Sequence, residues 1–490
     1  MICILNFESK QGKAVNENSA IIFEIEKYCR DAGIAESTFG RRAVNDGKFV
    51  ARLRSGKGVT TSTITKIEKF LQLNGIDQQA NNKKNQKNIV PKLDAGAKPP
   101  AIRKKTKKAK SDELKKANFR FYDNRQKYLM FVNTCSEKWV VAERMGMELA
   151  HIHPTPPALR IFDAGMGDGT VLTSVMREMH RRYRNMPFYI VGKEISMEDV
   201  RLSLEKMSDR FFEHPATVLI VTNMYYTESP WLTPRSMQAA ATLNWMDVPL
   251  AGDSAHEFHE QIKALQPVLA DSWQVRASEK TGNPLYVRPS VLVLYREDQK
   301  FLLDQVIPRP GQNRADYDLV MASQPYRARM PVEFKVNKVI SPLARSLAPG
   351  GRLLGIHSFG DDPGLEIIRR VWPDENPFIT NRHELLKELK KDLGKSHRDL
   401  KFNTYSDKRS LFRYDMHTLP SEVDDRNTPI GTSTLLAAWN AVTYVAQIED
   451  ERLEDVMSDH TYLEATRDVL AEYKGLWFND ESYVVSRKRA

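Results

Sequence analysis

Residues 161–169 read Ile161-Phe162-Asp163-Ala164-Gly165-Met166-Gly167-Asp168-Gly169. An apolar, strand-sized run at 158–163 closes on Asp163, and a helix follows the glycines, so the stretch predicts strand, tight turn and helix. Glycines at alternate positions let the backbone turn sharply and approach a ligand, while the helix behind them offers free amides. A nicotinamide dinucleotide loop requires G-x-G-x-x-G. Here the third glycine, Gly169, comes one residue early and Thr170 takes its slot. Asp163 and Asp168 also put negative charge where a pyrophosphate would lie, which suits a cationic ligand better.

Two further elements stand in register with this loop. Val191-Gly192-Lys193-Glu194 ends the next strand with an acid 31 residues after Asp163, and a carboxylate there can accept both hydroxyls of a ribose. Leu347-Ala348-Pro349-Gly350-Gly351-Arg352-Leu353-Leu354 supplies a Pro-Gly-Gly turn before a later strand. Together the three motifs resemble the class I S-adenosylmethionine-dependent methyltransferases over residues 128–488. That resemblance implies an α/β fold with a seven-stranded, mostly parallel, doubly wound Rossmann-like sheet. It implies an enzyme with S-adenosyl-L-methionine as cofactor and needing no metal. It places Asp163, Gly165, Gly167 and Gly169 at the methionine end and Glu194 at the ribose. Asn223, after the third strand, falls where the family contacts adenine, often with an acid.

The acceptor end is less specific. The fourth strand runs into Ser323-Gln324-Pro325-Tyr326, which partly resembles the (Asp/Asn/Ser)-Pro-Pro-(Tyr/Phe) loop of amino-group DNA methyltransferases. In that loop a polar group accepts from an exocyclic amine and an aromatic ring stacks on a flipped base. Gln324 departs from the pattern and removes its rigid double proline. Ser323 and Tyr326 are therefore acceptor-pocket candidates under two readings. The favoured one is a small-molecule or protein acceptor; the alternative is a DNA or RNA amino group. A third reading keeps cofactor binding but makes the chain a regulator that senses a metabolite.

Charge location bears on that choice. The chain carries a net +10. Between Lys83 and Lys110 there are eleven Lys/Arg and one acid, Asp94, so this segment holds 11 − 1 = +10 and the remainder balances to zero. A catalytic domain gripping duplex usually shows a basic cleft. Residues 78–111 are rich in Asn, Gln, Lys, Ala and Pro, cannot bury enough apolar area to offset their ordering entropy, and read as a disordered basic linker.

Before the linker, residues 1–77 read as a small helical domain. Ile21, Ile22, Ile25 and Tyr28 have helical spacing; Asn45-Asp46-Gly47 marks a turn; Ile64, Ile67, Phe70 and Leu71 form one face of a last helix. Two short helices about such a turn resemble the helix-turn-helix of phage-repressor-type DNA-binding domains. The second helix would present Lys48, Arg52 and Arg54 to DNA, and a protein-interaction module is the alternative.

From 112 to 490 strands and helices alternate, which implies a parallel sheet covered on both faces. Further strands are expected at 188–194, 216–221, 317–323, 352–358, 411–416 and 482–486, with a long helix from Thr432. Between Val221 and Tyr317 lie 95 residues, far beyond an ordinary connection. An insertion at about 230–310 must hold structure of its own, including a hairpin of 290–295 with 301–307.

Other features exclude alternatives. Cys3, Cys29 and Cys135 are too few for a disulfide framework or an iron–sulfur radical centre, and none follows the loop as a cytosine-C5 nucleophile would. No apolar run approaches the roughly 18 residues of a membrane span, and the start lacks a basic leader, so a cytoplasmic protein is expected. His256-Glu257-Phe258-His259-Glu260 misses His-Glu-x-x-His by one position and reads as a surface helix. His357 reads as a pocket residue or a satisfied core histidine, and Trp439 and Tyr444 as core.

Overall fold

Val218-Leu219-Ile220-Val221 and Val291-Leu292-Val293-Leu294 contain no polar side chain, so each is stable as a strand only with both faces covered. The structure, a computed structural model, describes residues 125–278, 284–417, 419, 430–458 and 460–489, with 22, 25, 28–29, 36–44, 46–54, 63, 66–67 and 70. The chain divides into two units, Met1–Lys105 and Thr106–Ala490. The basic segment 78–111 lies outside the described residues.

In the smaller unit, α1 (Glu36–Val44) and α2 (Phe49–Arg54) flank the turn at Asp46. Asp46 Oδ1 accepts from Lys48 N at 2.9 Å, and Ile25, Phe39, Phe49, Leu53 and Ile67 share a small core. Lys48, Arg52 and Arg54 are exposed. Arg52 is ion-paired with Asp46, and Arg54 with Glu36 at 2.7 Å.

The larger unit is built on strands β1 (Leu159–Asp163), β2 (Phe188–Lys193), β3 (Thr217–Thr222), β4 (Asn244–Leu250), β5 (Val275–Ala277), β6 (Pro284–Tyr286), β7 (Ser290–Arg296), β8 (Tyr317–Ser323), β9 (Leu347–Ser358), β10 (Leu400–Asn403), β11 (Leu411–Asp415) and β12 (Trp477–Arg487). The main sheet runs β10-β12-β9-β8-β1-β2-β3-β7-β4, with β11 also on β12. From β9 to β3 all neighbours are parallel, and β12 runs antiparallel to β9. Alternate side chains enter opposite cores: Ile161, Ile190 and Leu219 on one face, Phe162, Val191 and Ile220 on the other. The chain winds outward from β1 to β3 and then returns to β8 on the other side of β1. Its direction of winding reverses there, opening a crevice at the carboxyl ends of the strands.

Helices α3 (Arg125–Thr134) and α4 (Glu137–Glu148) precede β1. α5 (Thr170–Arg182) follows it, burying Leu172, Val175, Met176 and Met179 at helical spacing. α6 (Met197–Glu205) begins after β2, its first turn capped by Ser196 Oγ accepting from Asp199 N. α7 (Thr432–Val445) joins α3 in a third core that contains Trp439.

Among the described residues ten strands form the main sheet, where seven were expected. The insertion supplies two of the extra strands. β7 pairs antiparallel with β3, and β4 parallel with β7, so the inserted segment widens the sheet. β10 and β11 divide one edge of β12 between them; the four residues of β10 alternate too briefly to be read as a strand. The expected hairpin partner at 301–307 is a turn. Leu303 and Val306 are buried three residues apart, Phe301 is exposed, and Ile307 N donates to Leu303 O at 2.8 Å. That spacing is helical and does not alternate. The Pro349-Gly350-Gly351 turn lies inside β9 as a bulge: Tyr317 faces Leu347, but Leu319 faces Arg352.

Asn223 fastens the insertion to β3. Its Oδ1 accepts from Ser290 N at 2.8 Å, and its Nδ2 donates to Arg288 O at 3.0 Å and Ser272 O at 3.3 Å. Ser272 O keeps a bond from Ser290 Oγ at 2.9 Å, but Asn223→Ala removes the partner of the buried Ser290 N–H and the bond to Arg288 O, at about 1–3 kcal/mol each. Urea unfolding is expected to show a loss of about 3 kcal/mol, with S-adenosylmethionine affinity changed less than about twofold. An unshifted unfolding midpoint would show that the fastening carries no stability.

Candidate functional site

The loop after β1 is held by three bonds, to β8 on one side and to the end of β2 on the other. Ala164 N donates to Met321 O at 2.8 Å, Met166 N to Lys193 O at 3.1 Å, and Gly167 N to Glu194 Oε2 at 2.9 Å. Within it, Asp163 Oδ1 accepts from Gly165 N at 3.1 Å. Gly165 and Gly167 border a cavity of about 380 Å³ that Glu194, Ser323 and Tyr326 also line. Asp163 borders a small recess of about 50 Å³ behind the same loop. Six of the eight residues expected at the cofactor and acceptor therefore meet in one place.

Gly169 and Asn223 do not. Gly169 has φ +78°, and a Cβ there would lie 2.3 Å from Ser203 Oγ, so this glycine lets α6 pack against the start of α5. Asn223 is fully buried, its amide engaged by the insertion. Asp168 borders the same small recess as Asp163, but its carboxylate is already engaged within the protein. Its Oδ2 accepts from Lys206 Nζ at 2.6 Å and from Thr170 Oγ1 at 2.5 Å. Burial raises its pKa, but these partners outweigh that and hold the carboxyl below its ordinary value.

Asp163 and Glu194 are in the opposite condition. Burial pushes the Asp163 carboxyl up to about 7, with the nearby Glu194 charge adding to the effect. Burial also raises Glu194, and repulsion from Asp199 adds to it. Glu194 Oε1 already accepts from Ile195 N and Ser196 N, at 2.8 and 2.9 Å, and Oε2 from Gly167 N. The expected two-hydroxyl grip on a ribose is thus reduced, since only one of four lone-pair sites stays open.

The acceptor loop is rigid without a second proline. Gln324 has φ +47°, an uncommon conformation for a side chain with a Cβ, and its N–H donates to Ile356 O at 2.9 Å. Its Nε2 reaches Ser358 Oγ at 3.1 Å. Tyr226 Oη donates to Pro325 O at 3.0 Å, and Ala328 N donates to Gln447 Oε1 at 3.1 Å. Ser323 stays half-buried at the cavity, and Tyr326 contributes its ring while its hydroxyl lies buried.

Several lining residues were not foreseen. Tyr128 on α3, Lys138 on α4 and Tyr226 after β3 stand in segments without a motif. Tyr444, read as core, lies on α7 and lines the cavity while packing on Tyr128 and Phe131. His256 and His259 lie on the helix Ala255–Lys263, whose capping box joins Ser254 and Glu257. No helix among the described residues is long and apolar enough to cross a membrane.

No family model matches the sequence, and no curated protein matches it. Solved structures that align include geranyl diphosphate C-methyltransferase from Streptomyces coelicolor, at 11% identity over 71% of this chain and 74% of that one, with a TM-score of 0.27. Phosphoethanolamine N-methyltransferase 2 from Haemonchus contortus aligns at 9% identity over 72% of this chain and 53% of its own, with a TM-score of 0.24. Scores this low carry no functional weight, which rests on the site itself.

The raised Asp163 carboxyl sets a pH dependence. Above pH 7 it is ionised and attracts a cationic ligand; below, it is protonated and does not. The affinity advantage of wild type over Asp163→Asn for S-adenosylmethionine is expected to be about tenfold at pH 8. It should vanish by pH 6. Calorimetry at the two pH values checks this, and an equal advantage at both would show that Asp163 does not titrate against the ligand.

Proposed function

We propose that residues 112–490 form an S-adenosylmethionine-dependent methyltransferase acting on a heteroatom of a small molecule or protein. Residues 1–77 serve it as a DNA-binding module through Lys48, Arg52 and Arg54. The observation that carries the enzymatic reading is the pair Asp163 and Glu194. Both are desolvated carboxyls at a glycine loop over the carboxyl ends of a parallel sheet, and neither has an ion pair among the described residues. Such a site favours a ligand bearing positive charge and hydroxyls over a pyrophosphate.

Bound there, S-adenosylmethionine supplies a methyl group on a good leaving group. Asp163 and the Gly165 and Gly167 backbone receive its cationic methionine end, and the open lone pair of Glu194 takes a ribose hydroxyl. Lys138 borders both the cavity and the recess and is placed to meet the carboxylate. Tyr128, Tyr226 and Tyr444 exclude water around the reacting centre. Ser323 and Tyr326 orient the acceptor, so the protein contributes chiefly proximity and alignment.

A second reading, a DNA or RNA amino-group methyltransferase, is favoured by the placement of Ser323-Gln324-Pro325-Tyr326 at the end of β8 with an aromatic ring at the cavity. Incubation with methyl-tritiated S-adenosylmethionine and a cell lysate, then separation into nucleic-acid, protein and metabolite fractions, distinguishes the two. Label is expected in metabolite or protein; label confined to nucleic acid would replace the first reading with the second. Glu194→Ala is expected to abolish cofactor binding by calorimetry, and unchanged affinity would overturn the site.

A further inference from the structure

Strand residues alternate between two cores, and on β2 Tyr189 and Val191 face the core that also holds Phe162, Tyr326 and part of Tyr226. Lys193, two residues further on, follows them and brings an ammonium to the cavity. Its Nζ lies 5.0 Å from the centre of the Tyr226 ring. That ring is fixed in turn, because Tyr226 Oη donates to Pro325 O at 3.0 Å. The Lys193 carbonyl accepts from Met166 N at 3.1 Å. Lys193 therefore joins the glycine loop through its backbone and the acceptor loop through its side chain.

Among the described residues, Lys193 Nζ has neither a hydrogen bond nor an ion pair. Attraction to a ring face leaves its three N–H donors open. Glu194 attracts it through space, but three of the lone-pair sites on that carboxylate are taken by Gly167, Ile195 and Ser196. Burial lowers the pKa of Lys193 and outweighs that attraction. The other cations at the cavity are placed differently. Lys138 has Glu137 at 3.3 Å and borders the recess beside Asp163, which Lys193 does not reach. Arg327 lines the cavity at the far end of the acceptor loop. The acids at the cavity, Glu194 and Asp199, both belong to the connection after β2.

We propose that Lys193 anchors a carboxylate or phosphate of the methyl acceptor, which is therefore a small anionic molecule. This rests on the methyltransferase reading above. The anion takes the N–H donors that the protein leaves open, and a charge-assisted bond in this desolvated place is a strong one. An ammonium ties up the lone pairs of whatever it binds, so the anchored group is a handle. The heteroatom that receives the methyl lies elsewhere on the acceptor, toward Ser323, and the two contacts together orient it. A cavity of about 380 Å³ shared with the cofactor suits a small molecule.

Stability comes first, because it needs no acceptor. Removing an ammonium that the protein itself holds would destabilise the fold, whereas replacing an uncompensated one by an apolar side chain would not. Lys193→Met is expected to keep or raise the urea unfolding midpoint, with S-adenosylmethionine affinity within about threefold by calorimetry. A lowered midpoint would make Lys193 a structural group, and an affinity loss of about tenfold or more would assign it to the cofactor; either overturns the proposal. In the tritium assay, the labelled metabolite is expected to be retained on an anion exchanger. Retention abolished by phosphatase identifies the anchored group as phosphate, and retention that survives phosphatase identifies it as carboxylate. An unretained metabolite, or label in protein or nucleic acid alone, overturns the proposal. With the purified acceptor, Lys193→Met is expected to raise KM by about 10–10²-fold with kcat nearly unchanged, and Lys193→Arg to recover most of the loss. An unchanged KM, or a loss in kcat alone, overturns it. A wild-type protein that binds no S-adenosylmethionine overturns the methyltransferase reading itself, whereas one that binds it and labels an uncharged metabolite overturns the anchor alone.

Discussion

A loop of glycines at the end of a central strand would collapse into the crevice it borders unless something held it open. The bond from Gly167 N–H to Glu194 Oε2 does this, joining the turn after β1 to the end of β2 at 2.9 Å. It fixes the loop, and it also fixes the carboxylate, whose second oxygen is bound by the first amides of the next connection. Glu194 is thereby rigid before any ligand arrives, and little side-chain freedom is lost on binding. Glu194 is held close enough to Asp163 for its charge to raise the Asp163 carboxyl further.

That arrangement depends on where the sheet reverses. β1 is flanked by β2 and β8, whose following connections leave to opposite sides, so the loops after all three strands surround one crevice. The insertion does not compete for this space because it joins the far edge, where β7 takes the antiparallel position beside β3. Asn223 lies between the two regions. Its amide secures the insertion at Ser272, Arg288 and Ser290, and the residue that follows the third strand is thereby withdrawn from ligand binding.

These two regions differ in how legible they were. The loop, Glu194 and the strands around them could be read because each is local: an apolar run, a glycine spacing, an acid at a fixed distance. β4 and β7 could not be assigned to the main sheet, since strand pairing across 70 residues leaves no local trace and β7 reads equally well as half of a hairpin. Asn223 was placed by its position after a strand, although its partners, Ser290 and Arg288, come from far along the chain. Tyr444 has the spacing of a core residue and is one, and only the fold shows that its core borders the cavity. His357 could be recognised as buried or pocket-facing. Its partner Glu481 is separated by 124 residues and lies in the polar run Asn479-Asp480-Glu481-Ser482 that leads into the expected strand at 482–486.

The buried acids divide by how their charge is balanced. Glu481 has Arg382, Glu148 has Arg352 and Asp168 has Lys206; in each case the protein supplies the cation, and removing it would leave a buried charge at a cost of several kcal/mol. Asp163 and Glu194 are given amide donors but no ion pair, so their charged forms stay unfavourable. Lys138 lowers Asp163 and Lys193 lowers Glu194 through space, but neither closes to an ion pair and burial outweighs both. Burial raises Asp480 and Asp362 as well, without an ion pair and held only by hydrogen bonds. Asp163 and Glu194 differ from these in standing at the glycine loop and its crevice, while Asp168, one residue beyond Gly167 in the same motif, is held ionised by Lys206.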